Sequence, residues 1–166
     1  MTAPNSPQPP FKKGGGRSGG EGISCLYKRP ESVLVVIYTA ADEVLVLRRV
    51  QPADFWQSVT GSLRWEEIDP LDAARRELRE ETGLGDGVDV VACGSVNCFP
   101  ILPPWKQRYA PDAVENVEHV FRVYLPERLL VTLNPAEHSE YQWLVRAAAA
   151  AKVTSYTNRD AILQLP

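Results

Sequence analysis

The chain has 166 residues, 44% of them hydrophobic and 23% charged, with a formal net charge of −3. This length and apolar content fit one domain with a sizeable core, and the slight acidic excess excludes the basic surface that binding to a nucleic-acid backbone requires. No apolar run approaches the roughly 18 residues of a membrane span and no signal-peptide h-region is present, so a cytoplasmic protein without a membrane partner is expected.

In chain order, Met1 to Ile23 carries four early prolines, Lys12, Lys13 and a GGGRSGGEG tract with almost nothing apolar to bury. This composition predicts a disordered tail over 1–23 ahead of a folded domain over 24–166. The β-branched run SVLVVIYT from Ser32 suits a strand buried on both faces, and Glu43 to Arg48 after a short turn completes a hairpin. Phe55 to Thr60 then delivers the chain to Gly61, where glycine permits close backbone approach or a sharp bend.

Asp69 is placed to cap a helix, Pro70 suits its first position and Gly83 its left-handed end, which predicts a helix from Pro70 to Thr82. Leu71, Ala74 and Leu78 form one apolar stripe, while Glu77, Glu80 and Glu81 share another face. A solvated Glu- and Arg-rich helix would explain some of this, but like charges at i, i+4 cost about 0.2–0.5 kcal/mol per pair unless a cation neutralises them. Three carboxylates within one turn therefore read as a site for a hard divalent ion that also reaches phosphates, with Arg76 four residues before Glu80 as its ion-pair partner.

Further strands are predicted at Val88 to Phe99 and Val117 to Leu125, separated by a Pro- and aromatic-rich loop over 100–115 that is a candidate substrate lid or wall. Leu130 to Leu133 and Tyr141 to Val145 read as short strands, and Arg146 to Lys152 and Asn158 to Leu165 as helices. The expected architecture is a mixed sheet with helices on both faces, an α+β fold. Cys25, Cys93 and Cys98 are odd in number and lack zinc-site spacing, which predicts reduced thiols. His119 and His138 read as packed or hydrogen-bonded side chains in preference to metal ligands.

Gly61, Glu67, Arg76, Glu77, Leu78, Glu80, Glu81, Gly83 and Leu84 resemble the Nudix box, G-x5-E-x7-R-E-U-x-E-E-x-G-U with U aliphatic. One departure is visible: eight residues, Ile68 to Arg75, separate Glu67 from Arg76 where the pattern has seven. The surplus falls before Pro70, so the triplet keeps its register, and a modest part in metal affinity is expected for Glu67. Five further pieces resemble the dihydroneopterin triphosphate pyrophosphohydrolase branch. They are Tyr-Lys-Arg-Pro at 27–30, Phe-Trp-Gln-Ser-Val-Thr-Gly-Ser at 55–62, Arg-Tyr-Ala-Pro at 108–111, Glu137-His138 with Tyr141 and Trp143, and Ser-Tyr-Thr-Asn-Arg at 155–159.

The resemblance implies an α/β/α sandwich of Nudix type and Mg²⁺-dependent hydrolysis, with Mn²⁺ possible, of a pterin triphosphate to its monophosphate and pyrophosphate in folate synthesis. It implies Glu77, Glu81 and Glu137 as metal ligands, Glu80 as a further ligand or base steadied by Arg76, and Glu137 as an alternative base. Lys28, Arg49 and Thr60 would contact phosphate or pterin. Phe99, Pro100, Ile101, Leu102 and Ser155 would line the pocket, Pro100 and Leu102 departing from the more polar, aromatic stretch usual there. The box alone allows nucleoside triphosphates or dinucleotides equally well. A non-catalytic binding module is the third reading, against which the intact triplet argues.

Overall fold

A computed structural model describes residues 27–103 and 105–166. The expected tail over 1–23, and Cys25, lie outside the described residues.

Strand β1 (Glu31–Thr39) is the spine of the sheet. Its β-branched run is buried on both faces, Val33, Val35 and Ile37 entering one core and Leu34, Val36 and Tyr38 the other. After a turn in which the amide of Asp42 donates to the carbonyl of Thr39, β2 (Glu43–Arg49) pairs with β1 only at Tyr38 and Val44 and then diverges. The wedge between them is filled by one segment, β3 (Trp56–Gln57) pairing with β2 and β4 (Val59–Ser62) pairing with β1. The expected hairpin is therefore splayed, and Thr60 and Gly61 sit where it opens.

Helix α1 (Pro70–Thr82) has the predicted bounds and the predicted caps: the Asp69 carboxylate accepts from the Leu71 amide, and Gly83 is left-handed at φ 72°. Beyond it come β5 (Val90–Pro100), a single 3₁₀ turn at Lys106–Arg108, and β6 (Glu115–Leu125), which lies parallel to β1 and antiparallel to β5. Strand β7 (His138–Val145) pairs with β2, and α2 (Arg146–Lys152) and α3 (Tyr156–Leu163) follow. Ala73, Ala74 and Leu78 of α1 pack on one face of the sheet, and Ala149, Ala150 and Ile162 of α2 and α3 on the other. This is the α+β sandwich around a mixed, seven-stranded sheet that the pattern predicts.

Strand β7 begins at His138, three residues before the expected Tyr141, and two further elements differ from expectation. Leu130 to Leu133 forms no strand; the Thr132 amide instead donates to the Thr82 carbonyl at the end of α1, so the segment seals that helix terminus. Helix α3 starts two residues before Asn158 because the Ser155 hydroxyl caps it, accepting from the Asn158 amide at 3.3 Å. No described helix is long and apolar enough to cross a membrane.

Candidate metal and phosphate site

Arg76 organises the acidic face of α1. All five of its N–H donors are used: Nε to Glu67 Oε1 at 2.7 Å, Nη1 to Glu77 Oε1 at 2.5 Å and Glu80 Oε2 at 3.2 Å, Nη2 to Glu67 Oε2 at 3.0 Å and the Ser62 carbonyl at 3.1 Å. Arg64 also reaches Glu80 at 3.0 Å. The box glutamate Glu67 thus pairs in two-pronged fashion with Arg76 and accepts from the Arg64 amide, and these bonds hold its carboxyl below the ordinary range. The pairing gives Glu67 a structural role in holding Arg76, beside the modest part in metal affinity expected for it. The surplus residue is absorbed by Ile68, 93% exposed, which leaves the Glu67–Arg76 pair intact.

Glu67→Gln should accordingly weaken the clasp on Glu77 and Glu80, lowering kcat/KM about tenfold, roughly 1.4 kcal/mol, together with the melting temperature. A Mg²⁺ titration tests this: recovery of the parent rate at high Mg²⁺ would make Glu67 a ligand after all.

Glu77 and Glu81 are buried although charged side chains rarely are. Burial pushes Glu77 up to about 7 against the opposing pull of Arg76, and neighbouring Glu81 and Glu80 add to the rise. Burial raises Glu81 as well, opposed by His138 and reinforced by Glu137. Glu81 Oε2 lies 3.4 Å from the Thr60 amide and 3.2 Å from His138 Nε2, while Glu81 Oε1 and both His138 ring nitrogens are buried without a formed hydrogen bond. Glu137 stands on a turn closed by Asn134, which donates to its carboxylate at 3.2 Å. Ligand atoms of Glu81, Glu137 and His138 fall within 4.8 Å of one another. An orphaned buried carboxylate oxygen among converging acidic groups fits a divalent cation, which these residues and Glu77 could hold.

The crowding has a stability signature in metal-free protein. Unfolded Glu77 protonates near 4.5 and folded Glu77 near 7, so its contribution is fully present below about pH 4.5 and is lost as pH rises through 7. At about 1.4 kcal/mol per pKa unit this amounts to about 3 kcal/mol. Denaturant unfolding in a chelator should therefore give lower stability at pH 8 than at pH 5, and Glu77→Gln should flatten the difference; equal stabilities in the parent would contradict the buried, cation-free carboxylate.

A cleft of about 1330 Å³ opens beside this cluster, and Lys28, Arg49, Thr60, Glu77, Glu80, Phe99, Pro100, Ile101, Leu102, Glu137 and Ser155 all line it. Glu81 and Arg76 lie behind the wall. Lys28 has solvent access at the cleft, yet the surrounding walls and then Arg108 lower its pKa, against the pull of Glu77 and Glu137. Arg49 is likewise lowered by burial, opposed by Glu81 and Glu137. Thr60 accepts from Gln57 at 3.0 Å, and Ser155 combines its place in the wall with capping α3.

The 100–115 loop forms a wall of the cleft. Trp105 anchors it, with the Arg49 and Arg108 guanidinium carbons 5.2 and 5.4 Å from its ring centroid and Phe55 packed edge-on at 6.0 Å. His119 is hydrogen-bonded, to Glu31 at 2.8 Å, as expected. His138, read from the sequence as a packed side chain, is fully buried but stands against Glu81. Sequence reasoning also missed Trp105, Arg108 and Glu118. For Glu118 a signal existed, since it is a charged residue two positions before Val120, on the same side of strand β6.

Among known proteins, a family model described as the NUDIX domain matches residues 28–164. The chain is 41% identical over 143 residues to dihydroneopterin triphosphate diphosphatase of Escherichia coli, covering 84% of this chain and 93% of that protein. It is 36% identical over 140 residues to the Haemophilus influenzae protein of the same name, covering 82% and 87%. Its fold superposes on the solved structure of the E. coli dihydroneopterin triphosphate pyrophosphohydrolase with a TM-score of 0.78, at 40% identity and 84% and 97% coverage. With the box clasped by Arg76, the acidic cluster behind Gly61 and a match running nearly the length of the folded region, the chain belongs to the Nudix family.

Proposed function

We propose that the protein hydrolyses 7,8-dihydroneopterin triphosphate to the monophosphate and pyrophosphate, a step of folate synthesis in the cytoplasm, with Mg²⁺ as the cation and Mn²⁺ as a substitute. One observation carries the reading: a single cleft runs from the acidic cluster past Lys28 and Arg49 to an aromatic and apolar wall, in a chain 41% identical to an enzyme named for that substrate.

In this reading Glu77, Glu81 and Glu137 hold the cation, with Glu80 as an additional ligand. When bound, the cation neutralises the phosphate oxygens that repel a nucleophile and makes water more acidic. The residues of the chain supply the rest. Arg76 keeps Glu77 and Glu80 in fixed directions, so the carboxylates need no reorganisation during the reaction. Glu80, half-exposed and bonded to both Arg76 and Arg64, accepts the proton of the attacking water, with Glu137 the other carboxylate within the cleft able to do so. Lys28 and Arg49 neutralise the phosphate chain, while Phe99 to Leu102 and Ser155 bound the pterin. Their work is positioning and charge stabilisation, which dominates phosphoryl transfer.

The experiment is turnover of dihydroneopterin triphosphate beside a nucleoside triphosphate and dinucleotide panel in Mg²⁺. A higher kcat/KM for the pterin with release of pyrophosphate is expected; a higher value for any nucleotide would replace this substrate, and no Mg²⁺-dependent release at all would leave a binding module.

A further inference from the structure

Glu118 is a buried carboxylate that the hydrolytic machinery does not use. It projects from the middle of β6 at 6% exposure and lines the cleft. Asn97 on β5, its cross-strand partner, donates to its Oε1 at 3.1 Å. No lysine, arginine or histidine nitrogen among the described residues comes within salt-bridge distance of it, in contrast with Glu67, Glu80 and Glu81. Burial accordingly pushes its pKa up, opposed only by the amide of Asn97 and the hydroxyl of Thr157. It also comes from a different side of the molecule. Residues 118 and 120 point to the sheet face covered by α2 and α3, whereas Glu77, Glu80 and Glu81 belong to α1 on the other face.

A carboxylate buried without a cation is costly unless donors arrive from elsewhere. Because Glu118 faces a cleft, a ligand can bring them. The geometry points to Glu118 as the residue that reads the 2-amino-4-oxo-pyrimidine edge of the substrate ring, accepting its ring N–H and exocyclic NH₂ on one carboxylate, with Asn97 fixing the carboxylate plane. This rests on the proposed pterin reading and deepens it. The edge is shared by pterins and guanine; adenine lacks the paired donors, and lumazine and hypoxanthine lack the amino group. A site built to accept such a pair rejects an analogue that lacks one donor, because its own polar group is then left buried and unpaired.

The test compares 6-hydroxymethylpterin with 6-hydroxymethyllumazine, which differ at C2, by calorimetric binding to the full chain. The parent should bind the pterin at least about tenfold tighter. In Glu118→Gln, whose amide offers a donor where an acceptor is needed, that preference should collapse to within about twofold. Its kcat/KM on dihydroneopterin triphosphate should fall about thirtyfold, chiefly through KM, the reacting phosphates being untouched. Equal binding of both rings by the parent, or an unchanged preference in the variant, overturns the assignment; if the variant does not fold, the parent's preference decides alone. A parallel GTP and ITP pair separates guanine from pterin as the source of the edge. If dihydroneopterin triphosphate is not turned over but the amino-group preference persists, the substrate proposal falls and the role of Glu118 stands. Turnover without the preference gives the reverse.

Discussion

Glu81→Gln is expected to lower kcat/KM about a thousandfold or more, some 4 kcal/mol of transition-state stabilisation, at ordinary Mg²⁺. Without divalent cations the same variant should melt at the parent temperature or slightly above it. Both expectations come from one environment. Glu81 is fully buried, its Oε1 has no partner, and burial raises its pKa, so in the metal-free protein the carboxylate is a liability. The amide removes the charge and the repulsion from Glu137, and it stays within reach of His138 Nε2, 3.2 Å from the present Oε2. What the amide cannot supply is the negative charge that neutralises a cation. Thermal melts in chelator beside assays across a Mg²⁺ series measure both halves. A metal-free melting temperature several degrees below the parent would show that Glu81 is a structural partner of His138 instead.

Gly61→Ala should be nearly as damaging although it adds one methyl group. A Cβ at Gly61 would stand 1.8 Å from Glu77 Cδ, 2.0 Å from its Oε1 and 2.4 Å from its Cγ. Turning the end of the side chain does not relieve a clash that includes Cγ, and Arg76 holds Oε1 at 2.5 Å from the other side. The glutamate must leave its rotamer or α1 must move away from β4. We expect a loss of about a hundredfold in kcat/KM, roughly 3 kcal/mol, and overpacking destabilisation of about 1–3 kcal/mol. A double variant with Glu77→Ala separates the causes: removing the obstructing side chain should restore most of the melting temperature but none of the activity. Parental activity in Gly61→Ala would mean that the close approach of backbone and carboxylate has no part in catalysis.

Much of this was legible along the chain because it depends on local rules. Asp69, Pro70 and Gly83 fix the ends of α1 through backbone groups within a few residues, and 3.6-residue periodicity alone places Glu77, Glu80 and Glu81 on one face. The β-branched run of β1 declares burial on both sides, and the order of motifs identifies the family. The surplus residue before Pro70 illustrates the boundary. Its position in a loop could be read from the sequence, but that Ile68 bulges into solvent while Glu67 still meets Arg76 depends on how the loop packs over α1 and β4. Partners distant in sequence were likewise hidden: Glu81 meets His138 across 57 positions and Asn97 meets Glu118 across 21. Strand register and burial determine those meetings, and no local period encodes them. Composition and spacing thus determine the helix, the fold class and the acidic triplet; only the tertiary structure decides which carboxylates lose their water, which arginine holds them, and which buried acid faces the cleft with neutral partners, because desolvation and partner choice belong to the packed chain.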